Sequence, residues 1–411
     1  MTARSEASSS RRGSEYHLSP DDGVLDLPLL DDHHRTTAHA IQEWVFDNSD
    51  LWEDPEDRRS PVTTGKEIRR ALGAARWFEF LHPGSEGDRT RGDARSLCLI
   101  RRHLAYAEDL ADFSFSIQAL AAAPLVRYGT VEQRNRWLPG MSRGDSSGTL
   151  ALSEPSAGSD LSAVELRATP VDGGYALTGR KAWIAGGDSA DVHSVLARTG
   201  EGPGPLGLSL LLVPSDTPGL TVEPVGSIAP RSFSHLRFDG CFVPARNVIG
   251  RPGQGYSIAM EILERFRMTV GAAALGFGRR AANAAAARAR GRNLGSGYLA
   301  DLGTVRSVLA EMEVKLNAAS LLVTRAAWDL DHERRGFAES SSIAKLYATE
   351  SAQEVADATV QIFGAAGVEA GSLPERLYRQ VRSLRIYEGT SEIQRSIIAD
   401  SALGRAARRE R

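Results

Sequence analysis

Cysteine is nearly absent: the 411-residue chain has two, Cys98 and Cys241, each alone in an apolar context. Neither belongs to a CxxC or Cys/His cluster of metal-site spacing, so both read as small core residues and no metal is expected. No run of about 18 apolar residues offers a membrane span, and the opening MTARSEASSSRRGSEY lacks the apolar stretch of a secretory signal. The expected compartment is therefore a reducing cytoplasm. Lysine is scarce as well: of 49 basic residues only Lys66, Lys181, Lys315 and Lys345 are lysines. The arginine excess accompanies abundant alanine and carries no functional conclusion. A net charge of -3 leaves no general attraction to polyanions, so neither nucleic acid nor membrane is expected as a partner.

What is there is ordinary globular material. An apolar fraction of 42% and a charged fraction of 25% over this length suffice for two or three domains, or one multi-layer subunit, with a buried site. Residues 1–32 are Ser-, Arg- and Asp-rich with little periodic apolar content and read as a disordered extension. Residues 33–147 read as helical, punctuated by Pro124, Pro139 and Gly140. Over 148–254 short β-type runs alternate with Gly, Pro and Asp, and Asp172-Gly173-Gly174 predicts a hairpin. Helical periodicity returns over 255–405: Val305, Leu309, Met312, Leu316 and Ala319 share one face, and a further helix is expected to start at a Ser340-Ser341-Ser342 cap and run to Gly364. A short basic tail, 406–411, closes the chain.

Three segments have residue types that are odd for plain structure. Ala-Leu-Ser-Glu-Pro-Ser-Ala-Gly-Ser-Asp, 151–160, places small hydroxyl residues and glycine after a strand, where backbone N–H groups can approach a phosphate or a flat ring. Lys181-Ala-Trp-Ile-Ala-Gly-Gly ends a strand carrying an indole against two glycines. Arg385-Ile-Tyr-Glu-Gly-Thr-Ser-Glu-Ile-Gln-Arg395 sets a carboxylate between Tyr and Gly at the foot of a helix. Taken alone, each has a plain structural reading: a turn, a core Trp, and a helix capped by Thr390 or Ser391 with Glu388 or Glu392 favouring its dipole.

In this order the three segments resemble the acyl-CoA dehydrogenase family, with its Thr/Ser-Glu-Pro-x-Ala-Gly-Ser-Asp, Lys-x-Trp-Ile and Ile-Tyr-Glu-Gly-Thr segments. Further matches are Gly129-Thr-Val-Glu-Gln-Arg with Leu138-Pro139, Phe238 to Val243 with Pro244-Ala245 and Asn247-Val248-Ile249-Gly250, and Gln361-Ile-Phe-Gly. The resemblance implies an α+β subunit: an N-terminal helical domain, a middle β-barrel-like domain and a C-terminal four-helix bundle, with FAD between the last two and across a subunit interface of a homodimer or homotetramer. It places Leu152, Ser153, Gly158, Ser159, Trp183, Ala185, Arg292, Gln361, Thr390 and Glu392 at the cofactor. Ser159, Arg267, Tyr387 and Gly389 fall at the substrate, an acyl thioester on CoA or an acyl carrier protein. Glu388 is the implied base, because the family's other base position, just before the arginine that is here Arg267, holds Phe266. The reaction implied is α,β-dehydrogenation to the trans-2-enoyl thioester, with electrons passing to an electron-transfer flavoprotein or another acceptor.

The chain also departs from the pattern. Ala185 replaces a hydroxyl beside flavin N5, Gly295-Ser296 and Gly303 replace residues at the adenine end, Ala365-Ala366-Gly367 replaces a double glycine, and His82 to Asp88 replaces a Gly-Gly-x-Gly stretch that helps shape the acyl pocket. Rivals on the same fold are an acyl-CoA oxidase, a flavin monooxygenase, for which Glu388 has no use, and a non-catalytic DNA-binding flavoprotein, for which only the RAARRER end speaks.

Overall fold

The computed structural model describes residues 22–52, 60–81 and 92–409. Most of the expected N-terminal extension, the His82 to Asp88 departure and the side chains of the basic tail lie outside the described residues.

The first helices are α1 (Asp32–Asp47), α2 (Pro61–Ala74), α3 (Ala94–Ala107), α4 (Asp109–Tyr128) and α5 (Val131–Ser142). Their starts are written in the sequence. Ser60 accepts from the N–H of Thr63 with Pro61 at the first helical position, Asp93 accepts from the N–H of Ser96, and Thr130 with Gln133 makes a capping box. The long helical stretch breaks once, at the extended Glu108 (φ -157°, ψ 142°), while Pro124 and Pro139 lie inside α4 and α5 and end neither.

The strands are β1 (Gly148–Ala151), β2 (Arg167–Val171), β3 (Gly174–Ala185), β4 (Val192–Arg198), β5 (Leu208–Pro214), β6 (Leu220–Val225), β7 (Phe233–Pro244) and β8 (Val248–Ile249). They form one sheet in the order β6-β7-β3-β2-β4-β5-β8, with β1 added parallel to β4. The expected hairpin is present: Val171 pairs with Gly174 across a two-residue turn in which Gly173 has φ +74°. One face encloses its own core of Leu177, Val195, Leu211, Phe238 and Val243. The other, at Val192, Leu196, Leu210 and Leu212, packs with Ala122 and Leu125 of α4 and with Ile258 and Ile262. Burial on both faces is why β4 and β5 show no polar alternation.

The chain then returns to helices: α6 (Gly255–Gly291), α7 (Gly303–Asp331), α8 (Phe337–Phe363), α9 (Leu373–Arg382) and α10 (Ser391–Arg409). Alanine dominates the core where α6, α7 and α8 meet. At Gly276 a Cβ would lie 2.3 Å from the Arg102 carbonyl, so only glycine lets α6 press against α3. The serine triplet is not a cap: α8 starts a turn earlier, after Gly336 (φ +90°), and Ser340, Ser341 and Ser342 are buried within it. Of the three, Ser341 is used sideways, against α6, while Ser340 bonds the Phe337 carbonyl of its own helix.

Candidate active site

The 151–160 segment and β3 are clamped together by Lys181. Fully buried, its Nζ donates to the Leu152 carbonyl at 2.7 Å and to Glu154 Oε1 at 2.9 Å, and Ala182 N–H donates to the Ser153 carbonyl at 2.9 Å. Glu154 also accepts from the N–H groups of Glu165 (2.8 Å) and Leu166 (2.9 Å). Burial holds the Lys181 amine down at about 8. Both residues belong to segments singled out in the sequence, Glu154 to 151–160 and Lys181 to Lys-Ala-Trp-Ile, but their pairing was not expected.

Two residues past Lys181 the pairing of β3 with β7 slips, and the irregularity contains Trp183 at φ +55°. The indole is thrown outward, 55% exposed, with His235 edge-on at 5.8 Å and accepting the Trp183 N–H through Nδ1 at 3.3 Å. A large aromatic ring held out on strained backbone is a platform awaiting a flat partner. Gly158 and Ser159 are exposed on the adjoining segment, and a Cβ at Gly158 would meet nothing within 4 Å. The half-buried Ala185 follows, its carbonyl accepting from Thr149 Oγ1 at 2.6 Å. Exposed ring, open glycine and free hydroxyl together suit a flat, phosphate-bearing cofactor.

The carboxylate lies between α9 and α10. Glu388 and Gly389 are consecutive left-handed residues, φ +54° and +90°, a conformation that costs a non-glycine residue about 1–3 kcal/mol and persists only where neighbours enforce it. They do. Gln394 Nε2 donates to the Glu388 and Gly389 carbonyls at 3.3 and 3.0 Å, and Lys345 Nζ donates to the Gly389 carbonyl at 2.6 Å. A Cβ at Gly389 would lie 2.5 Å from Gln394 Nε2. Thr390 is the N-cap of α10, its hydroxyl accepting from the N–H of Ile393 at 3.4 Å, and Glu392 is exposed in the first turn. Upstream, Tyr387 Oη accepts from Arg231 at 3.3 Å, and Arg231 also binds Asp109 and Ser383, so helix α4, the β domain and the C-terminal helices meet there. Burial pushes the Tyr387 phenol up to about 12.

Glu388 Oε2 is buried with no hydrogen-bond partner. Burial pushes the carboxyl up to about 7, and the charges of Arg101, Lys345 and Arg267 oppose that rise while Asp112 adds to it. Arg101 is itself held by both oxygens of Asp112 at 2.8 and 2.9 Å and by Thr269 at 2.8 Å. Arg267 is 3% exposed, its Nε unpartnered, and faces Glu264 and Glu388. Beside it Ser341 of α8 is docked on α6: its Oγ donates to the Glu264 carbonyl (3.0 Å) and accepts from the N–H of Met268 (3.1 Å).

Arg292 and Gln361 are not in this group. They sit exposed at the far ends of α6 and α8, where Arg288 lies over the Phe363 ring at 5.4 Å. At the α-helical rise, Arg292 is about 37 Å along α6 from Arg267.

A second cluster of titratable groups, Asp31, His33, His34, Asp93 and Asp331, lies at the starts of α1 and α3. Its members are engaged in capping and ion pairing: His34 Nδ1 accepts the Asp31 N–H (2.9 Å), Asp93 caps α3 (2.6 Å), and Asp331 binds Ala94 N–H (2.6 Å) and Arg95 (2.8 Å).

Family models describe the whole architecture: acyl-CoA dehydrogenase N-terminal domain over 31–145, middle domain over 149–241 and C-terminal domain over 253–403. The mitochondrial short-chain specific acyl-CoA dehydrogenase of Mus musculus is 36% identical over 288 residues, 69% of this chain and 70% of that one. The chain belongs to the acyl-CoA dehydrogenase family. Among solved structures of this fold, butyryl-CoA dehydrogenase from Megasphaera elsdenii superposes with a TM-score of 0.82 at 28% identity, covering 91% of this chain and 99% of that one. A glutaryl-CoA dehydrogenase from Mycobacterium smegmatis in complex with FADH2 gives 0.80 at 26% identity, covering 94% and 98%. The dehydrogenase family thus accounts for all three segments singled out above.

Proposed function

We propose that this acyl-CoA dehydrogenase uses FAD and the Glu388 carboxylate to convert an acyl thioester, on CoA or an acyl carrier protein, into its trans-2-enoyl thioester. The observation that carries the reading is the unpartnered, buried Oε2 of Glu388 on a turn fixed from two sides. A carboxyl pushed up to about 7 is ionised in a useful fraction near neutrality yet basic enough to accept a carbon-bound proton.

Leu152, Ser153, Gly158, Ser159, Trp183 and Ala185 would hold the flavin, with Thr390 and Glu392 beside it. Bound FAD supplies the hydride acceptor for the β-carbon. Glu388 receives the α-proton at Oε2, the Glu388 backbone N–H is the proposed donor to the thioester oxygen, and Arg267 and Arg101 supply positive potential to the growing enolate charge. Tyr387 and Gly389 flank the base, and Ser159 faces the thioester end. Arg292 and Gln361, too far away to serve this cofactor, would reach that of a neighbouring subunit, which supports a homodimer or homotetramer. An electron-transfer flavoprotein is the proposed electron acceptor. The cytoplasm is the proposed compartment, supported by the free, buried Cys98 and Cys241; among the described residues no helix is long and apolar enough to cross a membrane.

Anaerobic mixing of the FAD-loaded protein with a panel of CoA and carrier-bound acyl thioesters tests the proposal. Bleaching of the flavin with release of the enoyl thioester is expected; a protein that takes up no FAD sinks it. Sedimentation of the loaded protein as a stable monomer would remove the role given to Arg292 and Gln361.

A further inference from the structure

One buried cation has no task in this scheme beyond a structural contact. Lys345, on α8, is 0% exposed, and lysine is almost never fully buried without a partner. Its partner is unusual. No carboxylate lies in ion-pair contact with it among the described residues, and its hydrogen bond goes to the carbonyl of Gly389, the residue after Glu388. One helical turn earlier on the same face of α8 stands Ser341, which bonds the backbone of α6 on either side of Arg267, at Glu264 and Met268. A single face of α8 therefore handles both the helix carrying Arg267 and the turn carrying Glu388.

The surrounding charges single Lys345 out. Among the groups facing it, Glu388 is the strongest charge, followed by Arg267, Glu350 and Glu392. Glu350 is engaged by Arg385 at 2.7 Å and by Ser391, and Glu392 is exposed. Of the three cations that favour ionised Glu388, Arg101 is matched by Asp112, and Arg267 divides its field between Glu264 and Glu388. Lys345 alone of the three has Glu388 as its principal counter-charge and also a direct bond to the turn.

We propose that Lys345 is a positioning residue for the base: it locks the Glu388–Gly389 turn through the Gly389 carbonyl and, beside Arg101 and Arg267, supplies counter-charge to the Glu388 carboxylate. The inference rests on the reading of Glu388 as the base. A charge held in a low-dielectric interior acts strongly on a neighbour even without contact. Removing it leaves only Arg101 and Arg267 to oppose burial and Asp112, which favour the protonated acid.

The test uses the FAD-loaded protein and Lys345→Met, which keeps the side-chain length and removes the charge. Infrared titration follows the Glu388 carboxyl band, assigned by its disappearance in Glu388→Gln, and butyryl-CoA is the probe for flavin reduction. In Lys345→Met the carboxyl titration is expected to move up by about one unit, a tenfold change in the ionisation constant that takes the ionised fraction at neutral pH from about one half to about one tenth. Reduction should then fall about fivefold near neutral pH, recover as pH is raised, and be restored at neutral pH by Lys345→Arg or by methylamine added to Lys345→Ala. An unchanged titration, or an activity loss equal at every pH, overturns the proposal. Failure of every variant to fold and take up FAD also overturns it, by assigning the lysine to the fold alone. If instead Glu388→Gln reduces normally, the base assignment fails, while the infrared shift still reports on Lys345 separately.

Discussion

The two fully buried lysines, Lys181 and Lys345, make opposite use of the same chemistry. Burial holds both amines down at about 8. Lys181 closes a network: its carboxylate partner, Glu154, is in contact at 2.9 Å and is bound as well by two backbone N–H groups. Lys345 binds a carbonyl, and the carboxylate nearest in influence, Glu388, keeps one oxygen free. A closed buried pair fixes geometry and has nothing left for chemistry. An open one leaves a charge and a lone pair available, at the cost of an unsatisfied oxygen. The proposed cofactor platform is thus built on the first arrangement and the proposed reactive carboxyl on the second.

The most direct way to break this contrast is to remove the open carboxylate. Glu388→Gln should keep FAD and thioester binding and lose flavin reduction by at least ~10³-fold, the loss expected for a positioned general base. Stopped-flow bleaching at a near-normal rate would refute the assignment. In the unaltered protein, reduction should rise with pH through about 7 as Glu388 ionises. The stability signs differ between the two kinds of group. Glu388 keeps its proton in the folded state up to about 7 but ionises near 4.5 unfolded, so the native state binds the extra proton between those values and its stability falls as pH rises across them. The lysines bind fewer protons folded than unfolded between about 8 and 10.5, so their contribution rises with pH there.

The closed pair is tested by Lys181→Met. It leaves Glu154 buried without its counter-ion, a change of about 3–5 kcal/mol. The melting temperature should drop and FAD should dissociate, because the Leu152 carbonyl and Glu154 lose the clamp to β3. Chemical denaturation and flavin content measure both; an unchanged melting curve would mean that the backbone bonds of Glu154 suffice.

Much of this organisation was legible in the sequence because it depends on local rules. The Asp172-Gly173 turn, the Thr130 box and the helix face through Met312, Leu316 and Ala319 follow from turn geometry, capping and periodicity, and the Tyr-Glu-Gly-Thr segment stood out by its odd composition. What escaped is nonlocal. Ser340 to Ser342 look like a cap because small hydroxyl residues usually compete with helix bonds. Here all three are buried inside α8, and Ser341 bonds the backbone of α6 at Met268, 73 residues away in sequence. Lys181 was legible only as the head of a segment and Lys345 only as one of four lysines, because the partners that bury them come from distant segments. Arg292 and Gln361 match a family pattern but lie far from Glu388, which is what the proposed subunit interface would require.

Ala185 sharpens the comparison on the closed side. With β3 fixed by Lys181, a hydroxyl introduced at 185 is presented from rigid backbone, so Ala185→Thr should change flavin potential and reduction rate by an amount on the scale of one hydrogen bond to a developing charge, about 1–3 kcal/mol. Potentiometry and single-turnover rates read this; if both stay put, another donor already occupies the position.

The smallest effect is expected from the second carboxylate on the open side. Glu264 is half-buried on α6, and its charge favours the Arg267 cation more than that of Glu388 does. It precedes Arg267 by three residues, the spacing at which side chains on a helix are neighbours, and its backbone carbonyl is taken by Ser341. Its carboxylate therefore serves to balance Arg267, in keeping with Glu388 as the proposed proton acceptor. Glu264→Gln should free more of the Arg267 field for Glu388, moving the pH limb of flavin reduction slightly downward while the plateau rate stays within about threefold, since a partly exposed charge pair contributes ~1 kcal/mol or less. A plateau loss approaching that of Glu388→Gln would show that the two carboxylates share the proton and would move the reactive position from the turn to the helix.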